Sequence, residues 1–251
     1  MSWRLKKQLK YGFVFLIIIL SFLFLLIKNL KPAPTCYDNI KNQDEADVDC
    51  GGPCISCEIK NLKLEISKTG YLIYQDNSLD LFAIIKNPSS KYALKNFSYK
   101  FVLYGESEYK AETPKKNSFI LPLENKYILE LNKQLPKFKI KEIKLEIDIN
   151  SNDWVESSEK PPVIDLLNYN IENNKLNAEI INNDQKPFNN LELNFIFLDY
   201  FDNIVGFSKT KIDYIEIYER KIITITLPPF SKNPEKVLLY PSYNYFQEDE
   251  N

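Results

Sequence analysis

The chain has 251 residues, of which 44% are hydrophobic and 14% aromatic, so it can bury a core that supports one or two domains. It contains no histidine, which excludes His-based catalytic triads, His general bases and most zinc or non-haem iron sites. With only 6 glycines it has no Gly-rich phosphate-binding motif. We therefore expect a protein that is not an enzyme.

Charge is distributed unevenly along the chain. The first 31 residues hold six basic residues and no acidic one, whereas the other 220 carry 26 basic and 34 acidic residues, a net charge of −8. A net charge of −8 on residues 32–251 repels the phosphate backbones of nucleic acids. We expect no nucleic-acid partner, and we assign the basic N-terminus to a membrane signal instead.

An apolar segment follows the basic N-terminus. Residues 11–27 contain no charged side chain, and only Gly12 and Ser21 interrupt the large apolar residues. A helix of about 20 apolar residues crosses the hydrocarbon core of a bilayer. We predict a transmembrane signal-anchor helix at residues 11–30, preceded by a cytoplasmic basic head at residues 1–10.

The basic residues also predict the orientation of this helix. Basic side chains are enriched on the cytoplasmic side of membrane helices, so residues 32–251 are expected outside the cell membrane of a single-pass protein. The bilayer is then a partner through residues 11–30. A cleaved signal peptide is the alternative. Against cleavage, Lys28, Asn29 and Lys31 stand where a small-residue cleavage site is expected.

The cysteines of the chain lie together, just after this segment. An even number of cysteines beside a membrane anchor predicts two disulfides formed in an oxidising compartment, and the sequence leaves all three pairings open. The alternative is a four-thiolate zinc site, but zinc ribbons use two separated C-x2-C pairs and only one is present here. The four cysteines are Cys36, Cys50, Cys54 and Cys57.

Residues 36–57 resemble a short cysteine-rich module of bacterial and archaeal envelope and extracellular proteins, with the pattern C-x-D-G-x-x-N-x-x-E-x-x-x-D-C-G-G-x-C-x-x-C. The chain departs from the pattern at Asn39, where the pattern has Gly, and Asn tolerates positive φ better than most residues. The resemblance implies a location in the cell envelope. Besides the cysteines, the matching residues are Asp38, Asn42, Glu45, Asp49, Gly51 and Gly52.

The acidic side chains of this disulfide-rich module also suggest a metal site. Ca2+ takes six to eight oxygen ligands, and residues 36–57 contain five acidic side chains that could supply them. The hypothesis assigns the ligands to Asp38, Asn42, Glu45 and Asp49. The alternative is a solvated acidic loop held by disulfides, and we expect no other cofactor.

The rest of the chain has the two-residue periodicity of β-strands. Short alternating runs separated by turn residues, without helical windows, are typical of antiparallel β-sandwiches of the immunoglobulin-like class. The fold class is therefore predicted to be mainly β, after one N-terminal transmembrane helix and a small disulfide-rich module. The alternating runs include residues 79–85, 97–103, 176–180, 191–197 and 223–227.

A shift of 94 residues aligns two copies of one β unit. Residues 96–103 overlay residues 190–197, which predicts two sandwiches in tandem. The predicted segments are a first sandwich at 59–149, a polar linker at 150–162, a second sandwich at 163–246 and an acidic tail at 247–251.

Each copy resembles the FxLYD domain, an immunoglobulin-like sandwich of prokaryotic envelope proteins, in which a V-x-N strand precedes the F-x-L-Y-D strand. The first copy has F-V-L-Y-G at residues 101–105, and the second has F-I-F-L-D at residues 195–199. The side chains expected in the core are Phe101, Leu103, Phe195 and Phe197, and those expected at a turn are Asn87 and Asn183.

These features predict a role in presentation. The chain is expected to be a membrane-anchored envelope protein whose two β-sandwich domains serve structural or protein–protein interaction roles with other envelope proteins. Trp154, in the predicted linker, is the candidate contact surface, because an exposed Trp often marks one. Alternatively Trp154 wedges between the sandwiches. The alternative function is an extracytoplasmic ligand-binding module for glycan or Ca2+.

Overall fold

The structure is a computed structural model that describes residues 3–30, 35–42, 44–106, 109–230 and 234–246. The chain divides into two compact units, Met1–Lys60 and Asn61–Asn251. It is mainly β, as predicted, and the predicted acidic tail at 247–251 lies outside the described residues.

The first unit contains helix α1, Trp3–Leu30, and the short helix α2, Cys57–Lys60. The 28 residues of α1 span about 42 Å at 1.5 Å per residue. Its apolar window, Lys7–Leu25, is exposed over its whole length. By length and composition α1 qualifies as a membrane anchor or as a signal peptide. The helix already begins in the predicted basic head, so head and apolar segment form one continuous helix.

The second unit is built from antiparallel strands. In chain order they are β1 (Glu65–Ile73), β2 (Ser78–Lys86), β3 (Tyr92–Tyr104), β4 (Lys110–Glu112), β5 (Lys116–Ile120), β6 (Asn125–Gln134), β7 (Glu142–Asp148), β8 (Trp154–Glu156), β9 (Ile164–Glu172), β10 (Lys175–Asn182), β11 (Phe188–Leu198), β12 (Ile204–Ile215), β13 (Arg220–Thr226) and β14 (Lys236–Ser242). A 3-10 turn at Ser151–Asp153 precedes β8.

The strands pair into four sheets. Sheet A has β3 at its centre, paired with β4, β5, β7 and β8, and sheet B has the order β1-β2-β6. Sheet C has the order β12-β11-β14, and sheet D has the order β13-β10-β9. Sheets A and B come from residues 65–156, called here the AB half. Sheets C and D come from residues 164–242, called the CD half.

The alternating residues of β11 place one hydrophobic core between sheets C and D. Leu193, Phe195 and Phe197 are fully buried in it, together with Leu176 and Ile180 of β10. Side chains from all six strands of the CD half contribute to this core. The four residues predicted to face a core are all buried: Phe101, Leu103, Phe195 and Phe197.

A second apolar cluster joins the AB half to the CD half. The rings of Phe82 on β2 and Phe207 on β12 lie 5.1 Å apart. Strands β2 and β11 are therefore buried on both faces, since their alternate side chains pack into the cores of their own halves. We call this set the interface cluster. Its buried members are Phe82, Leu129, Ile196, Leu198 and Phe207.

A buried asparagine organises the loop between β2 and β3 of the AB half. The Asn87 side chain is fully buried, and its Nδ2 donates hydrogen bonds to the carbonyl oxygens of Tyr92 (2.7 Å) and Leu121 (3.0 Å). Its Oδ1 accepts from the backbone N–H of Ser89 at 3.0 Å. Asn87 thus satisfies backbone groups of two separate loops, which confirms the predicted position at a turn.

The CD half repeats this arrangement at Asn182, the last residue of β10. The buried Nδ2 of Asn182 donates to the carbonyl oxygens of Lys186 (3.0 Å) and Glu216 (3.1 Å), and its Oδ1 accepts from the N–H of Asp184. Asn183 is exposed. Asn183 follows the last residue of β10 and lies in the loop, so its predicted position at a turn is confirmed. The buried hydrogen-bonding role belongs to Asn182, because successive residues of an extended segment point to opposite sides and only Asn182 points inward.

The predicted linker at 150–162 is partly a strand. Trp154–Glu156 forms β8 and pairs antiparallel with Tyr92–Leu94 of β3. Trp154 is only 5% exposed, so it is part of the packed AB half and is not the predicted contact surface. The polar residues around Trp154 favour a solvated linker. Burial of the large Trp154 side chain contributes more free energy than their solvation does, so the segment forms a strand.

Replacement of either buried asparagine is expected to destabilise the second unit. Asn87→Ala and Asn182→Ala each remove a donor to two backbone carbonyls and an acceptor for one N–H, which should lower the free energy of unfolding by about 2–4 kcal/mol. The matched control, Asn183→Ala, should lower it by less than about 1 kcal/mol. Chemical denaturation followed by circular dichroism measures these differences. Equal effects at Asn182 and Asn183 would contradict the assignment.

Candidate functional site

The four cysteines form two disulfides. The bonds join Cys36 to Cys54 and Cys50 to Cys57, one of the three pairings that the sequence left open. Because all four sulfur atoms are in disulfides, none is a thiolate that could bind zinc. One disulfide ties the N-terminal end of the module to Cys54, and the other closes the C-x3-C-x2-C segment between its first and last cysteines.

The four predicted calcium ligands come together, and the carboxylate oxygens of Asp38, Glu45 and Asp49 accept hydrogen bonds from the loop itself. The Asn42 side-chain oxygen, Oδ1, is buried and has no hydrogen-bond partner within the described residues. Asp49 Oδ1 accepts from the backbone N–H groups of Asp38 (3.0 Å) and Asn39 (3.1 Å). Glu45 Oε2 accepts from the N–H groups of Asn42 and Asp49, both at 3.1 Å. The Asn42 side chain donates to Asp38 Oδ2, which holds the pKa of Asp38 below its usual value.

The carboxylates of this loop therefore fix its conformation by accepting hydrogen bonds from its own backbone N–H groups. The remaining oxygen of Glu45, Oε1, lies 3.1 Å from the Sγ atom of Cys54. Asp49 also lies 3.7 Å from the Lys60 ammonium. These oxygens therefore face backbone amides, a disulfide and a cation.

The backbone of the module explains its glycine positions. Asn39 has φ of 57°, so the residue that replaces the Gly of the resembled pattern does adopt the left-handed conformation. Gly51 and Gly52 also have positive φ. A Cβ atom on Gly52 would lie 2.6 Å from the carbonyl oxygen of Asp44, and one on Gly51 would lie 2.5 Å from Ala46 Cβ. Only glycine fits at these two positions.

Two buried carboxylates in the AB half have their own partners. Asp80 accepts from the hydroxyl of Tyr74 at 2.6 Å and from the N–H of Asn132 at 2.7 Å, and burial raises the pKa of Asp80. Burial would also raise the pKa of Glu130, but the ammonium groups of Lys116 and Lys133, each 2.7 Å away, lower it overall. Both carboxylates are held in separate packed networks.

A cleft of about 520 Å³ opens between the AB and CD halves, beside the interface cluster. Four lysines line it: Lys95 and Lys126 from the AB half, and Lys209 and Lys211 from the CD half. The acidic side chain in the lining is Glu192 of β11. Sequence reasoning missed this site because its residues come from six strands and reach one place only when the halves pack.

Lys126 is the buried cation of this cleft. Its side chain is 8% exposed, and the ammonium lies 3.4 Å from the centre of the Phe119 ring. It donates a hydrogen bond to Ser242 Oγ at 2.9 Å, and the nearest carboxylate oxygen, on Glu124, is 3.8 Å away. Burial lowers the pKa of Lys126, because the charged form loses hydration.

Comparison with known proteins adds no assignment to this site. No protein-family model matches the chain, and no curated protein matches it. The resemblances of residues 36–57 to a cysteine-rich module and of the two β units to FxLYD domains stay predictions from the residues that carry them.

The stability of the second unit should depend on pH through Asp80. Since its pKa is raised in the folded state, Asp80 binds a proton more readily there than in the unfolded chain. Its contribution therefore favours folding at acidic pH and is lost as pH rises through the raised pKa. Asp80→Asn removes this dependence, so the variant should gain stability relative to wild type between pH 4 and pH 7.

Urea denaturation at both pH values measures this change. The control variant, Asp213→Asn, removes the same charge at an exposed position. If wild type and Asp80→Asn respond identically to pH, the assignment of a raised Asp80 pKa is wrong.

Proposed function

We propose that this chain is a single-pass membrane protein that presents its disulfide-rich module and its β unit outside the cytoplasm. The observation that supports this most is the pair of disulfides placed just after one exposed apolar helix. Disulfides persist in oxidising compartments, and the basic residues at the N-terminal end of α1 favour a cytoplasmic N-terminus. In this proposal α1 is an uncleaved anchor in the cell membrane.

The proposed role is interaction with other envelope proteins, through β domains of the FxLYD-like, immunoglobulin-like class. An aromatic pair at the hairpin between β11 and β12 supports this role, since Tyr200 is 81% exposed and Phe201 is 78% exposed. The turn beneath them is held by Asp199, whose Oδ1 accepts from the N–H groups of Phe201 and Asn203. Exposed aromatic side chains on a fixed turn are typical anchors of protein interfaces.

A second candidate function, ligand binding, is favoured by a different observation, the lysine-lined cleft between the halves. The acidic module is not part of this candidate, because its carboxylates are engaged within their own loop. For this second candidate we therefore propose the β unit as the location of the ligand site.

The anchoring proposal is tested on membranes of cells that express the full chain with a tag at each end. The C-terminal tag is expected to be digested by protease added outside, while the N-terminal tag is protected. The four cysteines should react with a maleimide only after reduction. Reactive thiols without reductant, or a protected C-terminal tag, would overturn the proposal. A soluble form that keeps the C-terminal tag but lacks residues 1–31 and the N-terminal tag would show cleavage.

The interaction role is tested by a photo-crosslinking amino acid at Tyr200 of the anchored chain. Adducts with a specific envelope protein are expected, and Phe201→Ala should reduce their yield several-fold. The matched control places the same crosslinker at Tyr218, which is 65% exposed on another turn of the CD half. Identical adducts from both positions, or adducts with lipid alone, would contradict a protein-binding role for the hairpin.

A further inference from the structure

The cleft between the halves carries an excess of positive charge inside an acidic protein. Lys209 lies 2.8 Å from Glu192, and Lys95 lies 3.7 Å from Asp153, so these two lysines have carboxylate partners. The Lys211 side chain has no hydrogen bond or ion pair with any residue of the described chain. Residues 32–251 have a net charge of −8, so the cleft focuses positive potential at one place on an otherwise acidic part of the chain.

The charge of Lys126 is only partly compensated within the described residues. An ammonium has three N–H donors, and here Ser242 Oγ is the one acceptor within hydrogen-bonding distance. Glu124 Oε1 is 3.8 Å away, and Oε2 of the same carboxylate accepts from the N–H of Leu121 at 2.7 Å. A buried cation with one hydrogen bond is costly to keep charged, and an anion in the cleft would remove that cost.

The remaining lining fits a hydroxylated ligand. Amide side chains of Asn117, Asn190 and Asn244 can donate to hydroxyl groups and accept from them. The aromatic rings of Tyr99 and Phe246 supply apolar surface beside these amides. A volume of about 520 Å³ is in the range of small-molecule sites, in which a few polar groups orient the ligand.

We propose that this cleft binds an acidic sugar, a small saccharide with a carboxylate or phosphate group, whose anion contacts Lys126 and Lys211. Amides on both sides of the cleft contact its hydroxyl groups. The inference deepens the second candidate function and rests on it. It does not depend on the membrane orientation, because every residue involved lies in the second unit.

Isothermal titration of the purified full chain in detergent micelles tests the proposal. The probes are glucuronate and glucose 6-phosphate, with glucose and inorganic phosphate as the neutral and the sugar-free comparisons. Each sugar anion is expected to bind at least about tenfold more tightly than glucose or inorganic phosphate. Binding should weaken as salt increases, since lysines supply the attraction.

Three variants separate the site from the fold. Lys126→Met removes the buried charge and should weaken binding of both sugar anions by more than about tenfold. Lys211→Gln removes a side chain that has no native partner, so it should leave the melting temperature unchanged while it weakens binding several-fold. It keeps the test valid if Lys126→Met does not fold. The matched control, Lys175→Met, changes an exposed lysine of β10 and should bind like wild type.

Several results would overturn the proposal: no heat from either sugar anion at about 10 mM, glucose or phosphate bound as tightly as the sugar anions, or equal losses in Lys175→Met and Lys211→Gln. None of these outcomes bears on the anchoring or crosslinking experiments. Failure of this proposal is therefore distinguishable from failure of the proposed membrane location or protein-binding role.

Discussion

The contact between the Phe82 and Phe207 rings, at the centre of the interface cluster, makes residues 61–251 one unit. Loss of one buried phenylalanine from such a cluster costs about 3–5 kcal/mol, a large part of the stability of a typical domain. The cluster also creates the cleft, because β11 and β12 contribute apolar residues at one end and Glu192 and Lys209 at the other. The AB and CD halves are in direct contact where their facing side chains are apolar, and a cleft separates them where the facing side chains are charged.

Acidic and amide side chains hold the loops of this protein by accepting hydrogen bonds from backbone N–H groups. In the AB half Glu124 Oε2 accepts from the N–H of Leu121, and in the CD half Glu219 Oε2 accepts from the N–H of Glu216, both at 2.7 Å. Glu45 does the same in the disulfide-rich module. With 34 acidic residues and only 6 glycines, the chain fixes its turns by side-chain acceptors more often than by glycine. A carboxylate in a loop is therefore weak support for a metal site here.

The sequence predicted what local periodicity determines. Alternation predicted strands β10 and β11 and the burial of Phe195 and Phe197, because one face of a strand packs on one core. It could not predict the interface cluster, since a second buried face appears only when two distant sheets meet. Trp154 was misplaced for the same reason: its strand exists only because β3 extends far enough to pair with it. The cleft lysines gave no signal, because exposed lysines are common on β-strands and only packing gathers them.

Hydrogen exchange of the Phe207→Ala variant tests most directly whether the two halves are stabilised by one shared contact. Measured by mass spectrometry on the full chain, protection is expected to fall in β12 and β11 and also in β2 of the AB half, across the interface. Sheet D, on the far side of the CD core, should lose less. Loss of protection confined to residues 188–215, with β2 unchanged, would contradict the account.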